Sequence, residues 1–166
     1  MSETQRMPPC TKRKLTPGEV ELAGRVFGAG LDARKVHILA LPVWNRAFVA
    51  GSRLIAWPAG SAVCDFSVAS LHQRSVFVHE LTHVWQAQSG VNLILAKLRA
   101  GDGRKAYAYD LSTPCEFGGL NIEQQAMIVQ HAYLAAHGAE TPFESSAYSG
   151  VLAALPGSIL SNPHQV

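Results

Sequence analysis

One long segment without proline or glycine dominates the sequence. It runs from Leu71 to Gln88, and large apolar residues occur on nearly every face of the α-helix that the segment would form. Such a helix has to be covered by other elements around most of its circumference, so we predict a buried central helix. His79, Glu80 and His83 stand within it. These polar side chains are costly to bury without partners or a metal ion.

The spacing of these polar residues indicates a metal site. His79 and His83 are four residues apart, which places their Cβ atoms on one helix face, about 5 to 6 Å apart. Two imidazoles in this arrangement can bind one zinc ion. Glu80 lies about 100° around the helix from His79, where it can take a proton from a water at the open position of a catalytic zinc site. We therefore predict Zn²⁺ as the cofactor and Glu80 as a catalytic general base.

A catalytic zinc site needs a third protein ligand. The chain has Gln86 and Ser89 where the extended HExxHxxGxxH pattern requires glycine and histidine, so that pattern is excluded. Glu123 supplies a carboxylate from the start of a second helix, which we expect from Asn121, as N-cap, to about His137. We predict Glu123 as the third metal ligand. The candidates that stay open beside it are Glu116, His131, His137, Asp110 and Cys115.

The remaining segments predict a small α+β domain that is mainly helical and has a short antiparallel sheet. Residues 16–19 have the form of a capping box, with Pro17 at the first helical position, and begin a helix that reaches about Phe27. Residues 36–39 and 53–57 are typical of strands. The second of these could be an edge strand that binds a peptide substrate or an ordinary core strand. A further short helix is possible near residues 147–155.

Composition and charge narrow the domain organisation and the function classes. The 166 residues are 48% hydrophobic and 16% charged, with a formal net charge of +2, as in a folded globular protein. We expect a flexible N-terminal arm over residues 1–14 and a single domain over residues 15–166. The basic cluster at residues 12–14 is short, so nucleic-acid binding is not expected. No apolar run reaches the ~18 to 20 residues of a membrane span, and no signal peptide is apparent, so we expect cytoplasmic synthesis.

Amide hydrolysis also needs a donor that stabilises the oxyanion formed when water attacks the substrate. Tyr107, Tyr109, His131 and His72 could each provide this donor. We predict Tyr109 and His131 as catalytic residues, the latter because it lies about two helical turns beyond Glu123 on the same side. Tyr107 and Tyr109 share one face if their segment is extended. The alternative for both is an ordinary core tyrosine.

Several of these motifs together resemble one bacterial family. The run at residues 77–86 (FVHELTHVWQ), the YAYD segment at residues 107–110 and the EQQA segment at residues 123–126 resemble the vgr-related proteins. They are also similar to the zinc metallopeptidase domain at the C-terminus of some type VI secretion spike (VgrG) proteins. The resemblance spans about residues 15–134.

The resemblance implies a zincin-like fold and gluzincin-like peptide-bond hydrolysis, with His79, His83 and Glu123 as zinc ligands and Glu80 as base. It also implies a peptide or protein substrate, export by type VI secretion to a target-cell periplasm, and an immunity protein or a VgrG-type partner. Related gluzincin peptidases carry an acid at the position of Met127, where it orients a ligand. Two alternatives stay open: a zinc amidase that acts on cell-wall peptides, and a zinc-stabilised, non-catalytic binding module.

Overall fold

The structure of the protein, a computed structural model, describes residues 5–101 and 103–153. It confirms the α+β class, with helices predominating over a four-stranded sheet. In that part of the chain, no helix combines the length and the apolar character needed to cross a membrane. In chain order the elements are β1 (Lys12–Lys14), α1 (Pro17–Phe27), β2 (His37–Leu41), β3 (Phe48–Ala50), β4 (Leu54–Pro58), α2 (Leu71–Gln88), α3 (Leu93–Ala100), α4 (Arg104–Tyr107), α5 (Ile122–Ala136) and α6 (Ser145–Leu152).

The sheet has the strand order β1-β2-β4-β3. β1 is antiparallel to β2 and β3 is antiparallel to β4, but the central pair β2 and β4 is parallel. This finding corrects the expectation of an antiparallel sheet. The cause is burial, since Ile55, Ala56 and Trp57 are three successive buried residues of β4, and a strand that is apolar on both faces takes a central place. Trp57 therefore lies in an interior strand, and the edge strand next to it is β3.

Residues 5–14 are part of the domain, which corrects the flexible arm expected over residues 1–14. Met7 is buried at 4% exposure, and the last three residues of this segment form β1. The physical reason is that the side chains of β1 alternate between solvent and the interior. Two lysines of β1 face solvent, while Arg13 turns inwards and its Nη2 lies 2.7 Å from Oε1 of the buried Glu19. The first four residues lie outside the described part.

The predicted helices are confirmed. α1 begins at a capping box, in which Thr16 Oγ1 accepts from the Glu19 amide and Glu19 Oε2 accepts from the Thr16 amide. α5 ends before Gly138, whose φ of 74° lies in the left-handed region that favours glycine. α6 ends at Leu152, and residues 154–155 of the short helix expected there lie outside the described residues. α2 has the predicted bounds and is the buried central helix. It packs against α5, and this pair positions the site.

Candidate metal centre

Two helices bring the three predicted ligands together. His79 and His83 lie one turn apart on α2, and Glu123 lies in the first turn of α5. The Oε2 atom of Glu123 is 3.5 Å from His79 Nε2 and 3.4 Å from His83 Nε2. One donor atom of each residue lies within 4.8 Å of the donors of the other two, and all three residues are buried. The group can therefore hold one metal ion.

Local sequence explains why Glu123 reaches the histidines. The side chain of Asn121 caps α5 and accepts from the backbone amides of Glu123 and Gln124, both at 2.9 Å. The Asn121 amide group also donates to the carbonyl of Ala106 at 3.1 Å, which fixes the start of the helix to the preceding segment. One turn along, Ala126 is fully buried. Its small side chain allows α5 to approach α2 closely.

Gln86 holds the second histidine. Its Oε1 accepts from Nδ1 of His83 at 2.8 Å, and its Nε2 donates to the carbonyl of Ile122 at 3.0 Å and to Oε1 of Gln125 at 2.9 Å. When Nδ1 carries the proton, the lone pair of Nε2 faces Glu123 and is free to bind a metal. The sequence analysis missed this role. The spacing of three residues, which places Gln86 on the same helix face as His83, could have suggested it.

The first histidine lacks such support. Nδ1 of His79 is buried and has no hydrogen-bond partner among the described residues. Its ring instead stacks against Tyr107, with the centroids 6.4 Å apart and the planes inclined by 26°. Met127, the position at which the resemblance implied an acid, provides no partner for this nitrogen. Packing rather than a hydrogen bond therefore orients His79.

Lys97 fixes the carboxylate from the other side. Its Nζ lies 2.5 Å from Glu123 Oε1 and 3.1 Å from the hydroxyl of Tyr107. Glu123 therefore presents Oε2 to the histidines while Oε1 is held by the lysine. Burial raises the pKa of Glu123, but the neighbouring His79, His83 and Lys97 outweigh this effect and hold the pKa well below its usual range. The carboxylate is ionised, as a metal ligand must be. No sequence pattern had indicated Lys97.

Glu80 differs from Glu123 because one of its carboxylate oxygens accepts no hydrogen bond from the described residues. The residue is 6% exposed, and its Oε2 has no hydrogen-bond partner in the described part of the chain. Burial raises the pKa of Glu80, and the neighbouring His79 and His83 oppose this effect. A carboxylate with raised proton affinity beside a possible metal site has the properties of a general base.

Two adjoining clefts open at the site. The first has a volume of about 350 Å³ and the second about 420 Å³. The edge strand β3 contributes Phe48 and Val49 to the first cleft, which also contains all three candidate ligands. The residues that line both clefts are Arg46, Ala47, His79, Glu80 and Tyr107. The candidate base thus lies at the border of the two clefts.

The predicted pair Tyr109 and His131 lies together, but neither is among the described residues that line these two clefts. The hydroxyl of Tyr109 hydrogen-bonds to Nδ1 of His131, and it lies 3.0 Å from the hydroxyl of Tyr148. Burial raises the pKa of Tyr109 and lowers the pKa of His131. Tyr107 ends α4, so the two tyrosines of this segment are not on one extended face. Tyr107 lines both clefts and His72 lines the second.

The alternative third ligands lie elsewhere. Asp110 and Glu116 are exposed, and Nδ1 of His137 bonds to the carbonyl of Tyr133 at 2.8 Å. Within residues 5–101 and 103–153, the group formed by His79, His83 and Glu123 includes none of the five alternatives. These alternatives are Glu116, His131, His137, Asp110 and Cys115.

Comparisons with known proteins place the chain in a family, although no family model matches it. The chain is 32% identical over 156 residues to the type VI secretion system spike protein VgrG2b of Pseudomonas aeruginosa, covering 87% of this chain and 15% of that protein. It is also similar to a solved structure, the effector domain of Pseudomonas aeruginosa VgrG2b. The TM-score is 0.66 with 32% identity, and the match covers 86% of this chain and 83% of that one. The chain therefore belongs to the family of the VgrG2b effector domain.

Proposed function

We propose that this protein is a zinc-dependent metallopeptidase with a zincin-like fold, and that it acts as a type VI secretion effector. The observation that carries the enzymatic part is the convergence of His79, His83 and Glu123 at a cleft that also contains Glu80. The delivery role rests on similarity to a spike protein and to an effector domain, of which the chain covers 15% and 83%.

The donor set suits zinc. Two imidazoles and a carboxylate are ligands of known catalytic zinc sites. Tetrahedral ligands at about 2.0 to 2.2 Å from zinc are about 3.3 to 3.6 Å from one another, and the carboxylate oxygen of Glu123 lies 3.5 Å and 3.4 Å from the two imidazole nitrogens. The described part of the chain contributes three such donors to the group. Three protein ligands leave an open position, as catalysis requires.

The residues of the chain divide the chemistry among them. Zinc, when bound, supplies a Lewis acid that polarises a carbonyl group and makes water more acidic. The carboxylate of Glu80, which lines both clefts, accepts a proton from the attacking water and returns it to the leaving amine. Tyr107, which lines both clefts, is better placed than Tyr109 or His131 to donate to the oxyanion. The involvement of Tyr109 and His131 stays a prediction.

The sheet provides a place for the substrate backbone. β3 is at the end of the strand order and pairs with β4 on one side. A peptide in extended conformation could add to its other side, as in other cases of strand addition. Because β3 lines the cleft of the three ligands, such a peptide would pass the candidate base. The substrate class that fits best is therefore a peptide or an extended segment of a protein.

The test compares Glu80→Gln with Glu123→Gln. The amide at position 80 has nearly the same shape but cannot take up the proton, so Glu80→Gln should retain zinc while peptide cleavage falls by about 10² to 10⁴-fold. Glu123→Gln should instead weaken zinc retention. Zinc content is measured by elemental analysis, and cleavage with a peptide library. Undiminished cleavage by Glu80→Gln would rule out the proposed mechanism, and full zinc retention by Glu123→Gln would rule out the third ligand.

The same variants test the two alternatives. The absence of an acid at Met127 and the unpartnered Nδ1 of His79 favour a zinc-stabilised binding module without activity. For such a module, toxicity in a bacterial periplasm would be equal for Glu80→Gln and the unchanged protein.

A zinc amidase would cleave cell-wall peptides and leave ordinary peptides intact. An immunity protein or a VgrG-type partner would be sought by co-purification with the Glu80→Gln protein.

A further inference from the structure

Exposed apolar side chains gather around one cleft. The described residues include eight large hydrophobic residues with substantial exposure, among them Phe48, Ile94 and Leu98 at 37%, 78% and 75%. These three line the first cleft, and Trp44 packs on Phe48 with the centroids 5.4 Å apart. The exposed residues that neighbour them in sequence are Val43, Val91 and Leu95, whereas Val68 belongs to a separate 3₁₀ turn. Exposed apolar side chains that line a cleft together, as Phe48, Ile94 and Leu98 do, mark binding sites.

The second cleft has a different lining. Its own residues include the apolar Trp57, Pro58 and Val76, but five others carry hydrogen-bonding side chains: Asn45, Ser61, His72, Gln73 and Gln130. We name this surface the His72 side, and the surface formed by Phe48, Ile94 and Leu98 the α3 side. The volumes of about 350 Å³ and 420 Å³ are both large enough to hold side chains of a peptide.

The candidate base lies at the boundary of the two surfaces. His79, Glu80 and Tyr107 line both clefts, so a peptide bond placed at Glu80 would have one neighbouring residue on each side. An extended peptide that crosses the site therefore meets exposed apolar side chains in one cleft and a group of hydrogen-bonding side chains in the other. The lining thereby determines which sequences bind well.

Resting on the proposed function, we propose that the site selects an asymmetric peptide sequence. A bulky aliphatic or aromatic residue adjoins the scissile bond on the α3 side, and a residue with a hydrogen-bond-accepting side chain lies on the His72 side. Asn45, Gln73 and Gln130, which line the second cleft and not the first, supply amide donors for the accepting residue.

A membrane surface is a different class of partner for the same apolar residues. The concave arrangement favours the peptide, since Ile94 and Leu98 line a cleft that also contains the charged residues Lys97 and Glu123. A helix that lies on a membrane presents an outward apolar face to the lipid and keeps its charges on the opposite face. Binding to vesicles serves below as the contrary outcome.

The cleavage experiment uses a double variant and a matched control. Zinc-loaded protein digests a library of peptides from a bacterial proteome, and the cleaved bonds are identified by mass spectrometry. We expect Leu, Ile, Met or Phe on one side of the bond and acceptor side chains on the other. Ile94→Ser combined with Leu98→Ser should slow cleavage of leucine-containing peptides about tenfold relative to their alanine counterparts. Val68→Ser, an equally exposed apolar site outside the clefts, should have no effect.

A binding measurement separates this inference from the proposed activity. The Glu80→Gln protein is applied to an array of random peptides, and the same one-sided preference is expected without any cleavage. A preference on the array without cleavage by the unchanged protein would support the inference and overturn the metallopeptidase. Cleavage or array binding without a one-sided apolar preference would overturn the inference. It would also be overturned if the double variant lost binding to phosphatidylglycerol vesicles while its peptide preference stayed unchanged.

Discussion

Two buried glutamates on two helices differ in how many hydrogen bonds their carboxylates accept. Glu19 on α1 is fully buried, and its two oxygens accept from Arg13 at 2.7 Å each, from the Phe66 amide at 2.8 Å and from the Thr16 amide at 2.8 Å. Glu80 on α2 is almost as buried, yet one of its oxygens has no partner in the described part of the chain. A carboxylate whose oxygens all accept hydrogen bonds joins the elements that supply the donors. A carboxylate beside a cleft that keeps unused hydrogen-bonding capacity is available for chemistry.

The largest expected effect tests this contrast through stability. Glu19→Gln breaks a buried ion pair and leaves donors unmatched, so the free energy of unfolding should fall by about 3 kcal/mol. Glu80→Gln removes a charge that is poorly compensated in the metal-free protein, so the change should stay within about 1 kcal/mol. Urea unfolding of both variants in the presence of a chelator measures the difference. Equal losses of stability would mean that Glu80 is as structural as Glu19.

A smaller effect concerns the group that supports the metal ligands. Gln86→Ala removes the hydrogen bond to Nδ1 of His83, so the affinity for zinc should fall by about 10 to 100-fold. Gln86→Glu keeps an acceptor and should retain most of the affinity. Titration of zinc against a coloured chelator provides the measurement. The matched control is Gln88→Ala, on the same helix, because Gln88 bonds to the Asp32 amide at 2.8 Å and touches no ligand.

The Gln88→Ala control can contradict the proposed role of Gln86. If Gln88→Ala lowered zinc affinity as much as Gln86→Ala, a general loosening of α2 would explain both results. A specific role for Gln86 requires that the two variants differ in zinc affinity even if their free energies of unfolding are similar.

The smallest effect is the pH dependence that arises at His131. Burial, and to a lesser extent the positive charge of His79, lowers the pKa of His131 below its unfolded value. The unfolded chain therefore binds more protons in the window just below the ordinary histidine pKa of about 6.5. Stability from this group is complete above that pKa and is lost as the pH falls through the lower folded value.

His131→Gln should remove this contribution while keeping an acceptor for the hydroxyl of Tyr109. Urea unfolding at pH 8, 7, 6 and 5 with a chelator present is compared for the two proteins. The unchanged protein should lose more stability on acidification than the variant. Parallel pH profiles would show that the histidine titrates alike in the folded and unfolded states.

Local sequence predicted the elements that have strong local signals. The capping box predicted α1, and the uninterrupted apolar run predicted α2, because helix caps and periodicity act over a few residues. The spacing of His79 and His83 and the first turn of α5 likewise predicted three residues that lie together and could hold a metal ion. The position of Glu123 needed only the geometry of two packed helices.

Features that depend on distant contacts were not predictable in this way. The place of β1 in the sheet rests on the ion pair of Arg13 with Glu19, and the parallel pairing of β2 with β4 rests on which strand is buried most. Lys97 reaches Glu123 from a helix whose position depends on tertiary packing. Tyr107 rather than Tyr109 lines the clefts because α4 ends at Tyr107, so the two tyrosines do not share one face.

Helix α3 combines weak packing with an electrostatic link to the site. It has no buried residue along its length, and Lys97 joins it to Glu123. Segments with few buried contacts open locally at low free-energy cost, and their amides exchange hydrogen quickly. Any ligand that fixes Glu123 in its paired geometry must also favour the docked helix, since thermodynamic linkage is reciprocal. The amides of residues 93–100 should therefore exchange faster than those of α2 and slow down on zinc binding, so that one wall of the first cleft reports whether the site is occupied.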